Sequence, residues 1–342
     1  MDTFRNTLLD WPQSAPTAAI HTLTDADFIR SLELGPQQWW KTWQAQRLAE
    51  LLQWVGKNDF NRLPILRREE FRVQFAAHPG RSPQEHGALT QIHSAGSTGV
   101  PVAFWRSELA MRINFSHYLA DHRRQSRDLH ASLAVIADMQ ETHTGSHSTV
   151  AGEPWIYPGP QLVRNAAQFT MLEHAQWVCE HAPDYLVTTA TTLSNILSLI
   201  ELNQLNAPRT AQIMTSSGIV TPELRMRARR VLGASIRDRY ACDELGPLAF
   251  QCPQSDDYYH VGVANAIVEA VTADGQLAPE GICGNLLATG LHQWASPALR
   301  YELGEMAAIH PHCPACGVSV PTLSQLTRRK RSLTHSLPGV AP

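Results

Sequence analysis

Ser94-Ala95-Gly96-Ser97-Thr98-Gly99-Val100-Pro101 sets small hydroxyl residues and two glycines between Ile92 and the apolar run Val102-Ala103-Phe104-Trp105. Glycine lets a backbone approach a ligand closely, and exposed N–H and hydroxyl groups donate to phosphate oxygens. The Walker pattern G-x-x-x-x-G-K-S/T does not occur, and the loop holds no lysine. Alone, a Ser/Thr/Gly turn more often closes a solvated hairpin, so the phosphate reading depends on what accompanies it. A second chemical set is Cys252, His260 and the pair Cys313-x-x-Cys316, followed by Gly317. Closely spaced cysteines with a distant cysteine and histidine make a tetrahedral S₃N donor set for a structural Zn²⁺. His310 and His312 are rival nitrogen donors, and buried free thiols are the bland alternative. Cys179, Cys242 and Cys283 suggest no chemistry. No spacing among His93, His117, His122, His143 and His147 makes a metal site.

The elements that must position these residues are α/β. Residues 1–84 read as an N-terminal helical region, with a helix start at Thr24-Asp25-Ala26-Asp27 and a helix from Trp39-Trp40 through Trp54. Trp39, Trp40, Trp43 and Trp54 there read as packing residues rather than a ligand box. Pro64 to Glu70 leads into another short helix. Residues 85–260 alternate strands (Leu133–Ala137, Tyr185–Thr189, Ile213–Thr215) with helices (Thr192–Leu202, Pro222–Leu232). Such alternation predicts parallel β-α units with ligand loops at the carboxyl ends of strands, where Ser94–Gly99, Ser216–Ile219 and Tyr240–Glu244 fall. Residues 261–327 read as a β-rich subdomain, and 328–342 as a frayed tail.

Composition narrows the class. The 342 residues are 43% hydrophobic and 17% charged, as in a globular chain with a sizeable core. A formal net charge of −3 argues against nucleic acid as a partner. Six cysteines are too few for a disulfide scaffold, and neither a membrane-spanning run nor a signal-peptide layout is evident, so a cytoplasmic setting is expected. The oligomeric state is not legible; a dimer is compatible.

Four blocks, in order, resemble the adenylate-forming (acyl-CoA synthetase-like, AMP-binding) superfamily. The loop at 94–101 is similar to S-G-S/T-T-G-x-P. Arg239-Tyr240-Ala241-Cys242-Asp243-Glu244 is similar to the Y-G-x-T/S-E block. Gly284–Thr289, running on to Leu299–Glu305, resembles G-E-L-x-x-T … R-Y-x-x-G-D. Leu326-Thr327-Arg328 resembles the end of the large domain. Tyr259-His260-Val261, Ile267–Val271 and the Cys-Pro-x-Cys-Gly at 313–317 have the flavour of the phenylacetate–CoA ligase-like branch. The resemblance covers roughly residues 85–330 and implies the large N-terminal α/β domain of that superfamily, with 85–260 as the nucleotide-binding core and 261–327 completing it.

By this resemblance the activity is ATP-dependent adenylation of a small, aromatic or hydroxylated carboxylic acid, forming acyl-AMP for transfer to CoA or a carrier thiol. Ser94, Gly96, Ser97, Thr98 and Gly99 would cradle the ATP phosphates. Thr98 is the best candidate for a direct hydroxyl contact, Glu244 would hold Mg²⁺, and Arg328 would meet the ribose–phosphate edge. Tyr240 would pack on adenine or border the acid, Ser217-Gly218-Ile219 would flank the adenine, and Glu305 would face the ribose. Arg300 reads equally as a structural ion-pair partner. Phe104, Phe115 and Trp155 could line an aromatic-acid pocket or simply a core. Several positions depart from the family pattern: Val100 replaces a loop cation, Ala241 a glycine, Asp243 a hydroxyl residue, Gly218 a glutamate and Glu305 an aspartate. These departures favour an alternative class, a non-catalytic nucleotide- or acyl-adenylate-binding subunit of a biosynthetic cluster. A third class uses the adenylate for amide formation. The fourteen residues after Arg328 are too few for the mobile lid domain that usually follows. Slow adenylation by the chain alone is therefore expected, with an acyl-carrier protein or a separate lid-supplying subunit as partner.

Overall fold

The computed structural model describes residues 17–76, 80–94, 102–137 and 157–327. Two helices, α1 (Thr17–Leu34) and α2 (Gln37–Trp54), open it and are followed by α3 (Arg68–Ala76). Thr24 does not start a helix. It lies inside α1, where its hydroxyl donates to the Ile20 carbonyl at 2.9 Å, a bond available only once the preceding turn is helical. Trp40 is buried, and the indoles of Trp40, Trp43 and Trp54 donate to the carbonyls of Ser319, Ala264 and Trp294. Trp39 is exposed.

The strands β1 (Leu89–His93) and β2 (Ala103–Ser107) pair antiparallel as a separate two-stranded sheet. The Ser/Thr/Gly stretch therefore joins the arms of a hairpin rather than following a strand of a parallel β-α unit. Ser107 then caps α4 (Glu108–Arg124) by accepting from the Ala110 N–H.

All other described strands form one mixed sheet of eleven. β3 (Leu133–Ala137), β4 (Gln161–Asn165), β5 (Tyr185–Thr188), β6 (Gln212–Ser216) and β7 (Ser235–Cys242) run parallel in the order β4-β3-β5-β6-β7. Between them lie α5 (Met171–His181), α6 (Ala190–Leu202) and α7 (Pro222–Leu232). Local chemistry marks each helix end: a Thr170–Glu173 capping box, Thr189 and Thr221 as N-caps, Pro222 in the first turn, and Gly233 left-handed at the close of α7. Alternate strand residues enter two different cores. Ala134, Ile136, Leu186 and Ile213 pack with the helices, and Leu133, Val135, Val187 and Met214 join Tyr157. Both faces of β3, β5 and β6 are buried, as their near-continuous apolar runs require, whereas the edge strand β4 is partly exposed.

From β7 onward the sheet is antiparallel. It continues through β8 (Gly246–Gln251), β9 (Tyr259–Val261), β13 (Thr322–Thr327), β12 (Tyr301–His310), β11 (Gly284–Gly290) and β10 (Ala266–Val271). The β-rich segment expected over 261–327 thus supplies strands to the same sheet as 85–260. A third core joins α1, α2 and α3 to these strands. Phe104 is fully buried there and Phe115 packs against it, while Trp155 lies outside the described residues.

Among the buried histidines, His117 and His292 lie deep in the interior. His117 stacks on Phe250 at a 4° interplanar angle, and His292 sends Nε2 to the Ala264 carbonyl at 2.9 Å. Burial first, then Arg124 for His117 and Arg47 for His292, lowers both to about 3. Unfolded, each takes a proton near the ordinary imidazole value of about 6.5. Their contribution to stability is therefore fully present above that pH and is lost as pH falls through the window toward 3. His117→Phe keeps the stacked surface and removes one such group. It is expected to reduce the pH-dependence of the unfolding constant by about one proton between about pH 6 and 4, measured by denaturant titration across that range.

Candidate active site

A backbone detour places the central cation of the site. Leu66 bridges to β12, with its N–H donating to the Arg300 carbonyl at 3.0 Å and its carbonyl accepting from Glu302 N–H at 2.9 Å. Glu70 caps α3 by accepting from the Arg67 N–H. Together these contacts aim Arg68, at the start of α3, across the ends of two other elements. Its Nη1 donates to Glu244 Oε1 at 2.6 Å and its Nη2 to Ser94 Oγ at 3.0 Å.

Glu244 is only 3% exposed and also accepts from the Tyr301 hydroxyl at 3.2 Å. Burial, then the Glu244 charge, pushes the Tyr301 phenol above its ordinary range, so Tyr301 acts as a donor. Ser94 is 4% exposed, and its oxygen accepts from the Val102 N–H as well as from Arg68, which pins the base of the hairpin loop. Gly96, Ser97, Thr98, Gly99, Val100 and Arg328 lie outside the described residues, as do His143 and His147.

The neighbouring strand ends complete the surroundings. Ser216 is in register with Arg239, so the turn after β6 lies next to β7. In that turn Ser217 and Gly218 both take positive φ, 66° and 84°, and the Ser217 carbonyl accepts from the Ala190 N–H at the start of α6. Ser217, Gly218 and Ile219 are exposed. Tyr240 is buried, and its hydroxyl donates to Glu305 Oε2 at 3.2 Å. Asp243 is exposed, and its carbonyl accepts from Arg106. Beside it, burial and then Glu244 hold the Cys242 thiol well above its usual value. Arg300 reaches Glu269 at 3.4 Å and the Leu63 carbonyl at 2.9 Å, which is the ion-pair role rather than a ligand-facing one.

The structure thus brings Ser94, Glu244 and Arg68 into one hydrogen-bonded group and pairs Tyr240 with Glu305. Arg68 carries no motif in the sequence, and its partner Glu244 stands 176 positions away.

The second chemical set also converges. The ligand atoms of Cys252, His260, Cys313 and Cys316 all lie within 4.8 Å of one another, and all but Cys316 are buried. Cys252 follows β8 and His260 sits in β9. Cys313 and Cys316 lie in a turn where Gly317, at φ 74°, donates its N–H to the Cys313 carbonyl at 2.8 Å. The Cys313–Cys252 sulfurs are 3.8 Å apart, and Cys316 Sγ is 3.3 Å from His260 Nε2. A tetrahedron built on ordinary Zn–S and Zn–N lengths has edges of about 3.8 Å and about 3.5 Å, so the four side chains fit that ion. Burial opposes charge on His260, yet Cys252, Cys313 and Glu33 outweigh it and raise the imidazole to about 11. Of the rival nitrogen donors, His310 instead contacts Ser324 Oγ at 2.9 Å.

No protein-family model matches the sequence, nor does any curated protein. Solved structures do match in fold. Structures of 2-hydroxyisobutyryl-CoA ligase superpose with TM-scores of 0.74 and 0.72 at 18% and 17% identity. They cover 88% and 86% of this chain and 70% and 69% of theirs. One holds 2-HIB-AMP and CoA in the thioesterification state, the other R3-HIB-AMP in the postadenylation state. An adenylation domain of a keto acid-selecting NRPS module bound to keto acyl adenylate matches with a TM-score of 0.50 at 12% identity over 68% of this chain. The chain therefore has the mixed α/β fold of the N-terminal domain of adenylate-forming enzymes. No helix among the described residues is long and apolar enough to cross a membrane.

Removing Arg68 leaves the Glu244 carboxylate buried without its cation. Arg68→Ala is expected to cost about 2 kcal/mol in chemical denaturation, less than a fully buried pair because part of Arg68 remains in water. Arg68→Lys, which reaches only one of the two acceptors at a time, should recover part of that loss.

Proposed function

We propose that this chain activates a small carboxylic acid with ATP, forming an acyl-adenylate that a thiol of CoA or a carrier then attacks. The observation that carries the reading is the Arg68–Glu244–Ser94 group at the base of the Ser/Thr/Gly loop, on a fold shared with ligases solved with acyl-AMP. In the first step a carboxylate oxygen of the acid attacks the α-phosphorus, the bond from that phosphorus to the bridging oxygen breaks, and pyrophosphate leaves. In the second step the thiol sulfur attacks the acyl carbon, AMP leaves and the thiol proton passes to solvent. An aromatic or hydroxylated acid and a place in the phenylacetate–CoA ligase-like branch are part of the proposal.

The residues divide the work by charge. Thr98 and the loop amides donate to the phosphates, and Arg68 brings a guanidinium to a loop whose usual cation is replaced by Val100. Glu244 would hold Mg²⁺, a hard cation suited to carboxylate oxygen, which when bound offsets phosphate charge. Asp243 adds a negative charge nearby. Ser217–Ile219 offer exposed backbone beside the adenine, and Glu305, oriented by Tyr240, would face the ribose. Cys252, His260, Cys313 and Cys316 would hold a structural Zn²⁺ with no open position for substrate.

Asp243, Gly218 and the Val100 position favour one second reading, a subunit that binds nucleotide without turnover. Acid-dependent exchange of label between pyrophosphate and ATP separates the two. The enzyme reading expects exchange with at least one acid in a panel of aromatic and hydroxylated acids, reduced by Thr98→Ala by about 2 kcal/mol in activation free energy. Nucleotide binding by calorimetry without exchange selects the second reading, and no binding at all defeats both. Metal analysis of protein purified without chelator should find one Zn²⁺ per chain. Cys313→Ser should lose that metal along with thermal stability.

A further inference from the structure

His260 faces two partners at once. Its Nε2 is turned toward Cys316 Sγ, while its Nδ1 lies 2.9 Å from Oε1 of Glu33, on α1 and 227 positions away. Glu33 is 4% exposed, and Arg124 grips both of its oxygens, each at 2.7 Å, with Arg30 adding a further contact. A carboxylate held in this way accepts hydrogen bonds and donates none. When Zn²⁺ displaces one proton of the His260 imidazolium, the proton that remains therefore belongs on Nδ1, facing Glu33, and the Nε2 lone pair is directed to the metal among the sulfurs.

We propose that Glu33 is the positioning residue of the Cys252–His260–Cys313–Cys316 zinc centre, and that through it the metal docks α1 against β9. The inference rests on the zinc reading above and adds a residue from outside the four ligands. Charge supports it independently. Zn²⁺ with three thiolates and a neutral imidazole carries a single negative charge. The group of Arg124, Arg127 and Arg239 with Asp121 and Glu33 is net positive, and the partly exposed Arg30 on Glu33 adds to that charge. The two abut at the His260–Glu33 contact, so each offsets the other where water cannot. The helical hairpin is tied to the cysteine turn by further bonds: Trp40 Nε1 donates to the Ser319 carbonyl at 2.9 Å, and Ser319 Oγ donates to the Gly35 carbonyl at 2.8 Å.

The test uses the full chain loaded with Zn²⁺. Chelator competition should show Glu33→Gln lowering zinc affinity by about 10- to 100-fold. Long-range ¹⁵N spectra of wild-type zinc protein should show His260 protonated on Nδ1. Hydrogen exchange across residues 24–34 should accelerate when zinc is removed. Unchanged zinc affinity in a folded Glu33→Gln protein overturns the role of Glu33, and so does an Nε2–H tautomer in wild type, which decides the matter if the variant does not fold. Wild-type protein that takes up no zinc removes the centre itself, a failure distinct from that of Glu33.

Discussion

The charge on Asp121 is the constraint around which the middle of the molecule is arranged. Its side chain has almost no contact with water, and an isolated carboxylate there would be too costly to keep ionised. Arg124, Arg127 and Arg239 approach it at 3.1, 2.8 and 3.1 Å. Burial pushes against ionisation, but these three guanidiniums hold the Asp121 carboxyl well below the usual range. Each brings a different piece of chain. Arg124 and Asp121 come from α4, Arg127 from the loop after it, and Arg239 from β7, where the sheet changes from parallel to antiparallel pairing. Arg124 also reaches Glu33 on α1. The N-terminal helices, the long helix and the strand next to Tyr240 are therefore positioned by one shared electrostatic requirement. Such a group specifies geometry more than it adds net stability, because desolvation consumes much of its attraction.

Local chemistry was legible wherever one segment decides its own conformation. Leu133–Ala137 and Pro222–Leu232 are read from the sequence with the bounds observed, since an apolar run flanked by polar turns and a Thr-Pro start are local signals. The convergence of Cys252, His260, Cys313 and Cys316 was likewise expected from residue type and spacing. Two kinds of feature were not legible. The expected helix start at Thr24 lies inside α1 because a Thr followed by acidic residues serves a helix interior as well as its cap, and the choice depends on what precedes it. Arg68 and Glu33 went unseen because their partners Glu244 and His260 are remote in sequence. Nothing local distinguishes an arginine that will be drawn to a buried carboxylate from one that will sit in water. The place of the Ser/Thr/Gly loop in a hairpin is not legible either. Pairing of Leu89–His93 with Ala103–Ser107 is a hairpin decision, and the loop composition is compatible with that or with a strand-to-helix turn.

That hairpin has a mechanical consequence. Among the described residues its two strands form no backbone ladder with the eleven-stranded sheet, and a two-stranded ribbon is only marginally stable alone. Side-chain bonds that hold it to the rest of the molecule include Arg68 to Ser94 and Ser296 Oγ to the Trp105 N–H. A sheet edge resists tilting with its whole row of amide bonds. Here the hairpin is mounted by the core packing of Phe104 and by a few discrete polar contacts, one of which ends on the same guanidinium that neutralises Glu244. Two arginines tie the hairpin to that strand end: Arg68 joins Ser94 to Glu244, and Arg106 of β2 reaches the Asp243 carbonyl beside it, so both arms of the hairpin are tethered to adjacent residues of one turn.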